Sequence, residues 1–355
     1  MLALKAYSVL LALALISISQ PSQAALTFTR NPRTLENQDT SLISKGLADA
    51  CLGMLQLPDG LNCNPANSVF TSQSSFGIQV LISNGYSNLE NVRSLLTGEI
   101  TPETIDRLFS DGRFTQIETN ASVIFKSKFF SGSYTPLSVR GFSIVRNEGN
   151  PEAEVQFVEE SGFTFQSGWA FTKEFSVGLQ TRVLSRKSVH RTFKLVELAT
   201  ESGRDLLKPQ SQNIVFLEPG ATWIIGKDWQ PRLTLFVHDV AVSKSGESYV
   251  PIKPEPQLGF AITPTILPYG TLDLLLEYRR LEADAPTHEL LHFGANYRFG
   301  AMNVVGGVDG RGLSGGVFYF IDKLNAGVVY STTNTLVAQN NFYTQTVYAQ
   351  LGWQL

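Results

Sequence analysis

The sequence predicts an all-β membrane protein: a closed antiparallel transmembrane β-barrel of about 14 strands, with a short N-terminal helical plug or rim segment. Three observations lead to this fold class. The last nine residues alternate between apolar and polar positions, and the first 24 residues have the composition of an export signal. No later segment offers about 18 consecutive apolar residues, so no membrane-spanning helix is predicted.

The closing segment has the alternation of a half-lipid-exposed strand. Its apolar side chains recur at every second position and therefore share one face. They are Val347, Ala349, Leu351, Trp353 and Leu355, and the positions between them are Tyr348, Gln350, Gly352 and Gln354. In a membrane barrel lipid contacts one face of such a strand and the lumen contacts the other. An amphipathic strand of a soluble sandwich shows the same pattern, so this segment alone favours both folds equally.

Residues 1–24 predict a signal peptide and decide between the two folds. Lys5 is the only charge among them, and the apolar run Val9–Ile18 is too short to span a bilayer as a helix. Ser22-Gln23-Ala24 resembles a small-residue cleavage site. The expected location is therefore the outer membrane of a Gram-negative bacterium.

The bulk composition excludes one class of partner and permits a barrel. The net charge of the 355-residue chain is −3 at pH 7, so it lacks the basic excess of a nucleic-acid-binding protein. Hydrophobic residues make up 43% of the chain, and its mean hydropathy is close to zero. Membrane strands give such average values because their apolar residues are interleaved with polar ones.

Residues 25–66 lack the alternation of a barrel strand and predict a short helix followed by a loop. The apolar residues at helical spacing are Ile43, Leu47, Cys51 and Met54. We expect this segment either to plug the mouth of the barrel or to lie against its periplasmic rim.

Cys51 and Cys63 are the two cysteines of the chain, and export places them in an oxidising compartment. We therefore predict a disulfide between them, which closes a loop of about 13 residues and contributes about 3 kcal/mol. Two free thiols in the plug segment are the alternative. Because no histidine lies nearby in the sequence, a metal site at these cysteines is not expected.

The barrel is predicted over 67–355, as fourteen strands joined by connections that alternate between long and short. Long extracellular loops and short periplasmic turns produce this alternation. A count of twelve or sixteen follows if one hairpin is wrongly split or merged. A tight turn is predicted at Ser131-Gly132-Ser133, and a long loop at Thr332–Asn340. The strands are predicted at 67–84, 114–130, 134–145, 152–171, 175–191, 212–226, 231–242, 257–267, 271–281, 288–299, 301–308, 313–321 and 324–331, followed by the closing strand.

Charged residues of the strands are candidates for lining the lumen, since an arginine on the lipid face costs about 2–4 kcal/mol at mid-depth. The candidates are Glu152, Glu154, Arg182, Arg186, His190 and Arg298. Arg182, Arg186 and His190 share one face of the fifth strand. One hypothesis is a cationic ladder that attracts carboxylates or lipopolysaccharide phosphates. The favoured hypothesis is a salt-bridge network across the lumen with Glu152 and Glu154 of the fourth strand.

The histidines predict neither a metal centre nor a catalytic one. His288 and His292 share a strand face but lie roughly 13 Å apart, which is too far for one ion. His238 and Asp239 are adjacent in a strand, so their side chains should point to opposite faces, which argues against a catalytic dyad. We expect no cofactor, no metal and no enzymatic activity.

The first long connection contains apolar residues that could form a surface or a small core. They are Val92, Leu95, Leu96, Ile105, Leu108 and Phe109. One interpretation is a surface that binds apolar ligands or a neighbouring subunit. The other is a loop that packs its own small core across the barrel mouth. The sequence favours the two interpretations equally.

The junction into the barrel resembles that of the FadL-like superfamily of outer-membrane β-barrels. The resemblance lies in Asn64-Pro65-Ala66, with Gly46–Ala50 before it and Val69-Phe70 after it. It implies a fourteen-stranded barrel with an N-terminal plug. The superfamily includes long-chain fatty-acid and hydrocarbon transporters and TraF-like barrels. The two cysteines depart from the transporters' plug, and no fatty-acid site maps onto this sequence residue by residue.

Two functions follow as hypotheses. The first is an outer-membrane channel or transporter with porin-like passive passage of small or amphipathic molecules. The second is a non-conducting structural barrel that assembles into homo-oligomers or binds lipid. The expected partners are phospholipid, lipopolysaccharide, further copies of the chain, and the barrel-assembly machinery through the closing strand.

Overall fold

The computed structural model of the chain describes residues 41–354, apart from several short stretches. These stretches are 72–73, 99–100, 102, 105–113, 147–151, 195, 198–199, 201–204, 206, 227–228, 248–251, 265–268, 280–286 and 338–339. The predicted signal peptide, residues 25–40 of the predicted plug segment, and Ile105, Leu108, Phe109 and Leu355 therefore lie outside the described residues. Among the described residues, no helix is both long and apolar enough to cross a membrane.

Fourteen strands of the described chain form one closed antiparallel sheet, which confirms the predicted barrel. The seventh strand is interrupted at Asp239–Val240, and both of its halves pair with the sixth. The strands are β1 Ser75–Ser83, β2 Phe114–Ser127, β3 Phe130–Arg146, β4 Glu152–Ala170, β5 Phe175–Lys194, β6 Gln210–Ile224, β7 Arg232–His238 with Ala241–Gly246, β8 Glu255–Ile262, β9 Thr271–Arg279, β10 Leu291–Phe299, β11 Met302–Asp309, β12 Gly312–Ile321, β13 Leu324–Val337 and β14 Asn340–Gln354.

Each strand pairs with its neighbours in sequence, and β14 closes the ring on β1 with Val80 opposite Leu351. The side chains of β14 alternate as the sequence predicts. Val347, Leu351 and Trp353 are exposed on the outer face, whereas Tyr348 and Gln350 are buried toward the lumen. Ala349, on the outer parity, is half-buried. Closure pairs the backbone groups of both edge strands, which a membrane interior requires.

The first hairpins differ from their predicted bounds. The first strand begins at Ser75 rather than at residue 67, because 65–70 forms a 3-10 helix inside the barrel. The turn between β2 and β3 lies at Lys128–Phe129 rather than at 131–133. Phe129 adopts a φ of +73° and closes this two-residue turn, so β3 starts four residues earlier than predicted.

The loop predicted at Thr332–Asn340 is wrong. β13 and β14 stay paired with each other as far as Val337 opposite Asn340, although the pairing of β13 with β12 ends at Ser331 and that of β14 with β1 ends at Tyr348. The result is a two-stranded hairpin that projects beyond the rest of the sheet. Its threonine-rich sequence suits a strand but lacks the apolar face from which the other strands were predicted.

Three short α-helices lie entirely within the described residues. Helix α1, Leu42–Gly46, begins at Ser41, whose hydroxyl accepts a hydrogen bond from the Ser44 amide. Helix α2, Leu89–Thr97, follows a 3-10 turn at Asn84–Asn88 in the β1–β2 connection. Helix α3, Thr287–Leu290, occupies the start of the predicted tenth strand, which therefore begins at Leu291.

Helix α2 packs on the outer face of the wall. Phe157 of β4 has the same strand parity as the exposed Phe163, yet Phe157 is fully buried. The helix contributes Val92, Leu95 and Leu96 to the apolar cluster that covers Phe157. These residues do form a small core, but it lies outside the wall and not across the mouth. An exposed binding surface at these three residues is excluded, because all three are fully buried.

Aromatic residues mark the end of the barrel at which β1 begins. All four tryptophans lie there, close to the ends of β4, β6 and β14 and in the β6–β7 connection, and all are exposed. They are Trp169, Trp223, Trp229 and Trp353. Tryptophan rings favour the boundary between lipid and water, so this edge lies at one membrane interface.

Candidate functional site in the plugged lumen

Residues 41–70 occupy the lumen and form its apolar core. Leu42, Ile43, Leu47 and Met54 are almost completely buried against inward-facing side chains of the wall, including Val305. The segment touches the wall most closely where the wall has glycine. A Cβ built on Gly307 would lie 2.1 Å from the Leu47 carbonyl carbon, so only glycine permits this approach. The segment is therefore a plug, and we use this name for residues 41–70.

The irregular part of the plug, 47–64, obtains its hydrogen bonds from side chains of the wall. The Leu52 amide donates to the Glu277 carboxylate at 3.1 Å, and Arg232 Nε donates to the Gly53 carbonyl at 2.5 Å. Gln166 Nε2 donates to the Asn62 carbonyl at 2.6 Å. Buried backbone groups must be paired, and here the barrel supplies what regular secondary structure supplies elsewhere.

The predicted disulfide is confirmed: Cys51 and Cys63 are bonded, and their Cα atoms lie 5.9 Å apart. The bridge joins the two ends of the irregular segment. Ser44 Oγ lies 3.2 Å from the Cys51 sulfur, so the bridge also contacts helix α1. The plug is thus a small cross-linked unit inside the barrel rather than a free chain end.

Three charged residues of the plug, Lys45, Asp49 and Asp59, are buried. Lys45 Nζ lies 2.9 Å from a carboxylate oxygen of Glu118 on β2. Asp59 accepts hydrogen bonds from the Ser41 hydroxyl and the Ile43 amide, which ties the end of the loop to the start of α1. Burial raises the pKa of the Asp59 carboxyl above its usual range, although these two hydrogen bonds oppose the rise.

An ion-pair network crosses the wall strands beside the plug. Arg182 lies 2.6 Å from Glu218 and also contacts Asp239, while Glu160 lies 2.8 Å from Arg140 and 2.6 Å from Arg186. These five strand residues and Asp239 come from β3 to β7. Arg182 and Arg186 point to the lumen, on the side that strand parity predicts. Their carboxylate partners are Glu160 and Glu218, not the predicted Glu152 and Glu154.

The remaining candidate charges lie elsewhere in the lumen. Glu154 is buried and lies 3.5 Å from His190, whose ring is about one-third exposed at the mouth. Glu152 is half-buried at the start of β4. Arg298 lies 3.3 Å from Asp273, which also pairs with Arg232 at 3.0 Å. Arg298 therefore belongs to a second network, nearer the tryptophan-rich edge.

The expectation that His238 and Asp239 point to opposite faces is wrong. Asp239 adopts a φ of +55° where β7 is interrupted, and its carboxylate turns to the lumen beside Arg182. The nearest ligand atoms of Glu218, His238 and Asp239 lie within 4.8 Å of one another, a spacing that a metal ion could span. However, the Arg182 guanidinium already contacts both carboxylates, so a cation occupies this position. The cluster is an ion-pair network.

A cavity of about 90 Å³ lies between the plug loop near Cys63 and the wall strands β2 to β5 and β7. Charged and amide side chains of the wall face it, including Asn120, Arg140, Glu160, Gln166 and Arg182. The sequence predicted cationic residues in the lumen but not the cavity, since the cavity depends on where the disulfide-closed loop rests.

Comparisons with known proteins place the fold. No protein-family model matches the chain, and no curated protein matches it. The toluene transporter TodX of Pseudomonas putida has 8% sequence identity to this chain, with a TM-score of 0.50 over 93% of this chain and 99% of that one. The fold is FadL-like.

Two further solved structures are similar to this FadL-like barrel. The toluene transporter TbuX of Ralstonia pickettii has 12% identity and a TM-score of 0.47, covering 87% of this chain and 97% of that one. A FadL homologue of Pseudomonas aeruginosa has 11% identity and a TM-score of 0.38, covering 93% and 99%. TodX, with its TM-score of 0.50, confirms for the fold the resemblance seen in the sequence.

The Asn64-Pro65-Ala66 motif of this FadL-like barrel has a physical role. Asn64 Oδ1 accepts a hydrogen bond from the Ala66 amide and so begins the 3-10 helix, with proline in its first turn. Asn64 Nδ2 donates to the Ala221 carbonyl of β6 at 3.0 Å. A Cβ on Gly178 of β5 would lie 2.3 Å from the Ala66 nitrogen. The motif therefore anchors the plug where the chain turns into β1.

Proposed function

We propose that this protein is an outer-membrane channel of a Gram-negative bacterium, through which small or amphipathic molecules pass passively once the plug moves. The observation that carries the proposal is the way the lumen is closed. Among the described residues, the plug contacts the wall only through packing, hydrogen bonds and ion pairs, and the chain joins it to the wall at β1. TodX, which is described as a toluene transporter, supports a transport role for the fold.

The energetics suit a plug that moves without unfolding the barrel. Each hydrogen bond between the plug and the wall contributes about 1 kcal/mol net, because water replaces the partner when the bond opens. The barrel strands are held by continuous backbone pairing, so local opening should occur first in the irregular segment. The Cys51–Cys63 bridge limits how far this segment can unfold and favours movement as one unit.

A tether between plug and wall tests the proposal. A Cβ on Gly46 lies 3.4 Å from the Cβ of Val305, close to the spacing in disulfides. We expect the Gly46→Cys/Val305→Cys double variant to form this cross-link and to lose at least tenfold in solute-induced conductance across planar bilayers and in liposome permeability. The reason is that the cross-linked plug can no longer leave its position against β11.

The Val305→Cys single variant is the matched control, since it carries one of the two substitutions without the cross-link. It should conduct like the unmodified protein. Gly46→Cys alone is not used, because its Cβ would lie 2.2 Å from Val305 Cγ2. Reductant should restore conductance to the double variant, and the same reductant on the unmodified protein controls for opening of Cys51–Cys63. Equal conductance of the cross-linked form and the Val305→Cys variant would rule out movement of the plug as the gate.

A second candidate function is a non-conducting structural barrel that assembles with further copies. The observation that favours it is a ladder of exposed aromatic rings on β2 to β4. The ladder consists of Phe125, Phe130, Tyr134, Phe163 and Phe165, with successive ring centroids 4.7–6.2 Å apart. Multi-angle light scattering of the detergent-extracted protein, with bilayer conductance on the same fractions, separates the two functions. A large, stable and silent oligomer supports the structural barrel.

The outer face also supports the proposed partners. Exposed aliphatic and aromatic side chains on strands around the barrel suit contact with phospholipid and lipopolysaccharide acyl chains. The alternation of β14, with Leu351 and Trp353 outward, suits the closing strand as the segment that the barrel-assembly machinery binds.

A further inference from the structure

We propose that the cavity beside the disulfide loop binds small, uncharged, hydroxyl-rich solutes, so that the channel passes polyols in preference to apolar molecules of the same size. This inference rests on the proposed function, because it names the class of solute that the lumen admits. The proposed class of solute differs from toluene, which is the solute in the names of the similar transporters.

The lining of the cavity consists mainly of groups that both donate and accept hydrogen bonds. Hydroxyl groups come from the plug and from β3 and β4, and amide groups come from the plug and from β2, β4 and β5. The hydroxyls belong to Ser41, Ser133, Thr135, Ser138, Ser161 and Thr164. Hydroxyl and amide side chains can meet the alternating donors and acceptors of a polyol.

The charges at the cavity are already balanced within the protein. Glu160 pairs with Arg140 and Arg186, and Arg182 pairs with Glu218 and contacts Asp239. Three guanidinium groups thus face three carboxylates, and the His238 ring, which also lines the cavity, lies 3.1 Å from the Glu218 carboxylate. An anion would have to compete with these carboxylates for the arginines, and a cation would have to compete with the arginines. The balance therefore favours an uncharged solute.

Four buried side chains at the cavity retain polar atoms without a hydrogen-bond partner among the described residues. These atoms are Asn62 Nδ2, Asn120 Oδ1, Gln166 Oε1 and Arg140 Nε. Asn120, the most accessible of the four residues, is 8% exposed. Two of the atoms accept and two donate, so a hydroxyl-bearing solute can satisfy both kinds.

The same atoms disfavour an apolar solute. A buried polar group that loses water without gaining a partner costs about 1–3 kcal/mol. An apolar molecule in this cavity would leave all four groups in that state. The volume of about 90 Å³ accommodates several water molecules, and hence a three-carbon polyol that replaces them.

Glycerol and propan-1-ol are the probes, because they share a three-carbon chain and differ in the number of hydroxyl groups. We expect saturation-transfer NMR on the full mature protein in lipid nanodiscs to show saturable glycerol binding and at least tenfold weaker propan-1-ol binding. Asn120→Leu, which removes the free acceptor, should weaken glycerol binding at least tenfold. Asn120→Ala, which cannot clash, should do the same.

Asn303→Leu is the matched control. Asn303 is also a buried amide on a lumen-facing strand position, has an unpartnered Nδ2, and does not line this cavity. Its substitution should leave glycerol binding unchanged. Propan-1-ol binding equal to glycerol binding, or equal glycerol binding by the Asn120 and Asn303 variants, overturns the inference. If the Gly46–Val305 cross-link still abolishes conductance in that case, the proposed channel function remains supported. Failure of the inference about polyols is therefore distinguishable from failure of the proposed function.

Discussion

Glu160 holds two guanidinium groups of the wall at once, at 2.8 Å from Arg140 and 2.6 Å from Arg186. Replacing it by glutamine removes the charge and leaves two buried cations without a counter-charge. We expect Glu160→Gln to lower the free energy of unfolding by about 3 kcal/mol, as for a broken buried ion pair. Urea titration followed by the electrophoretic mobility of the folded barrel measures this change.

Glu152→Gln is the control for Glu160→Gln, because it makes the same change in charge at a half-buried position at the start of β4. Its effect should stay below about 1 kcal/mol, as expected for a partly exposed charge. If both variants unfold at the same urea concentration, the pairing of Glu160 with the two arginines does not contribute to the free energy of unfolding.

Strand parity predicts which single residues face the lumen, but not which residues meet there. Arg182 and Arg186 are on the predicted side. Counting outward from the β4–β5 turn, which the sequence places at 172–174, would have put Glu160 opposite Arg186, as the register shows. No such count reaches Asp239, since one residue with a φ of +55° reverses the direction of its side chain.

At the scale of secondary-structure elements, helix α2 covers outward-facing apolar side chains of the wall strands. It does so where these strands continue beyond their exposed apolar side chains. Leu95 is fully buried in the cluster beneath the helix. Leu95→Ala should weaken the attachment of α2 by about 2–5 kcal/mol while leaving the barrel closed. We therefore expect faster tryptic cleavage after Arg93, which is exposed, without a change in the electrophoretic mobility of the barrel.

Glu90→Ala changes an exposed residue of the same helix and should leave the cleavage rate close to that of the unmodified protein. An equal rate of cleavage after Arg93 in the Leu95→Ala and Glu90→Ala variants would contradict the packing of α2 on the wall. The control matters because any substitution in the helix changes its propensity slightly, whereas only Leu95 changes its packing.

Elements with one lipid-facing side were predictable, and elements without such a side were not. Clean alternation located β4, β10 and β14 to within a few residues. The paired ends of β13 and β14 were predicted as a loop, because alternation reports contact with lipid and is lost where strands leave the membrane. The β2–β3 turn was misplaced for a related reason: Phe129 occupies a turn position usually taken by small residues.

At the scale of the whole molecule, the strand number was predictable because closure is a global constraint. Every connection must return the chain to the next strand, so the alternation of long and short connections reports the count without the bounds of each strand. The position of the plug was not predictable to the same degree. Its fit depends on glycines of distant strands, and a lumen-facing glycine such as Gly307 is indistinguishable in sequence from a lipid-facing one such as Gly306.

These two neighbouring glycines of β11 provide a test of the plug in the intact molecule. Gly307→Ala places a methyl group 2.1 Å from the Leu47 carbonyl carbon, a distance that backbone atoms cannot accommodate. We expect this variant to displace the plug, to conduct at least tenfold more than the unmodified protein in planar bilayers, and to expose Cys51–Cys63 to reductant. The barrel should remain closed, since the strand pairing of β11 does not involve the side chain.

Gly306→Ala is the matched control, because its methyl group meets no described atom closer than 4.0 Å. The two variants have the same composition and the same loss of backbone freedom, and they differ only in the face that carries the methyl group. A conducting Gly307→Ala variant beside a silent Gly306→Ala variant assigns the closed state to the plug. If both stay silent while Cys51–Cys63 becomes reducible in Gly307→Ala alone, displacement of the plug is insufficient to open the lumen, and the non-conducting barrel becomes the better account.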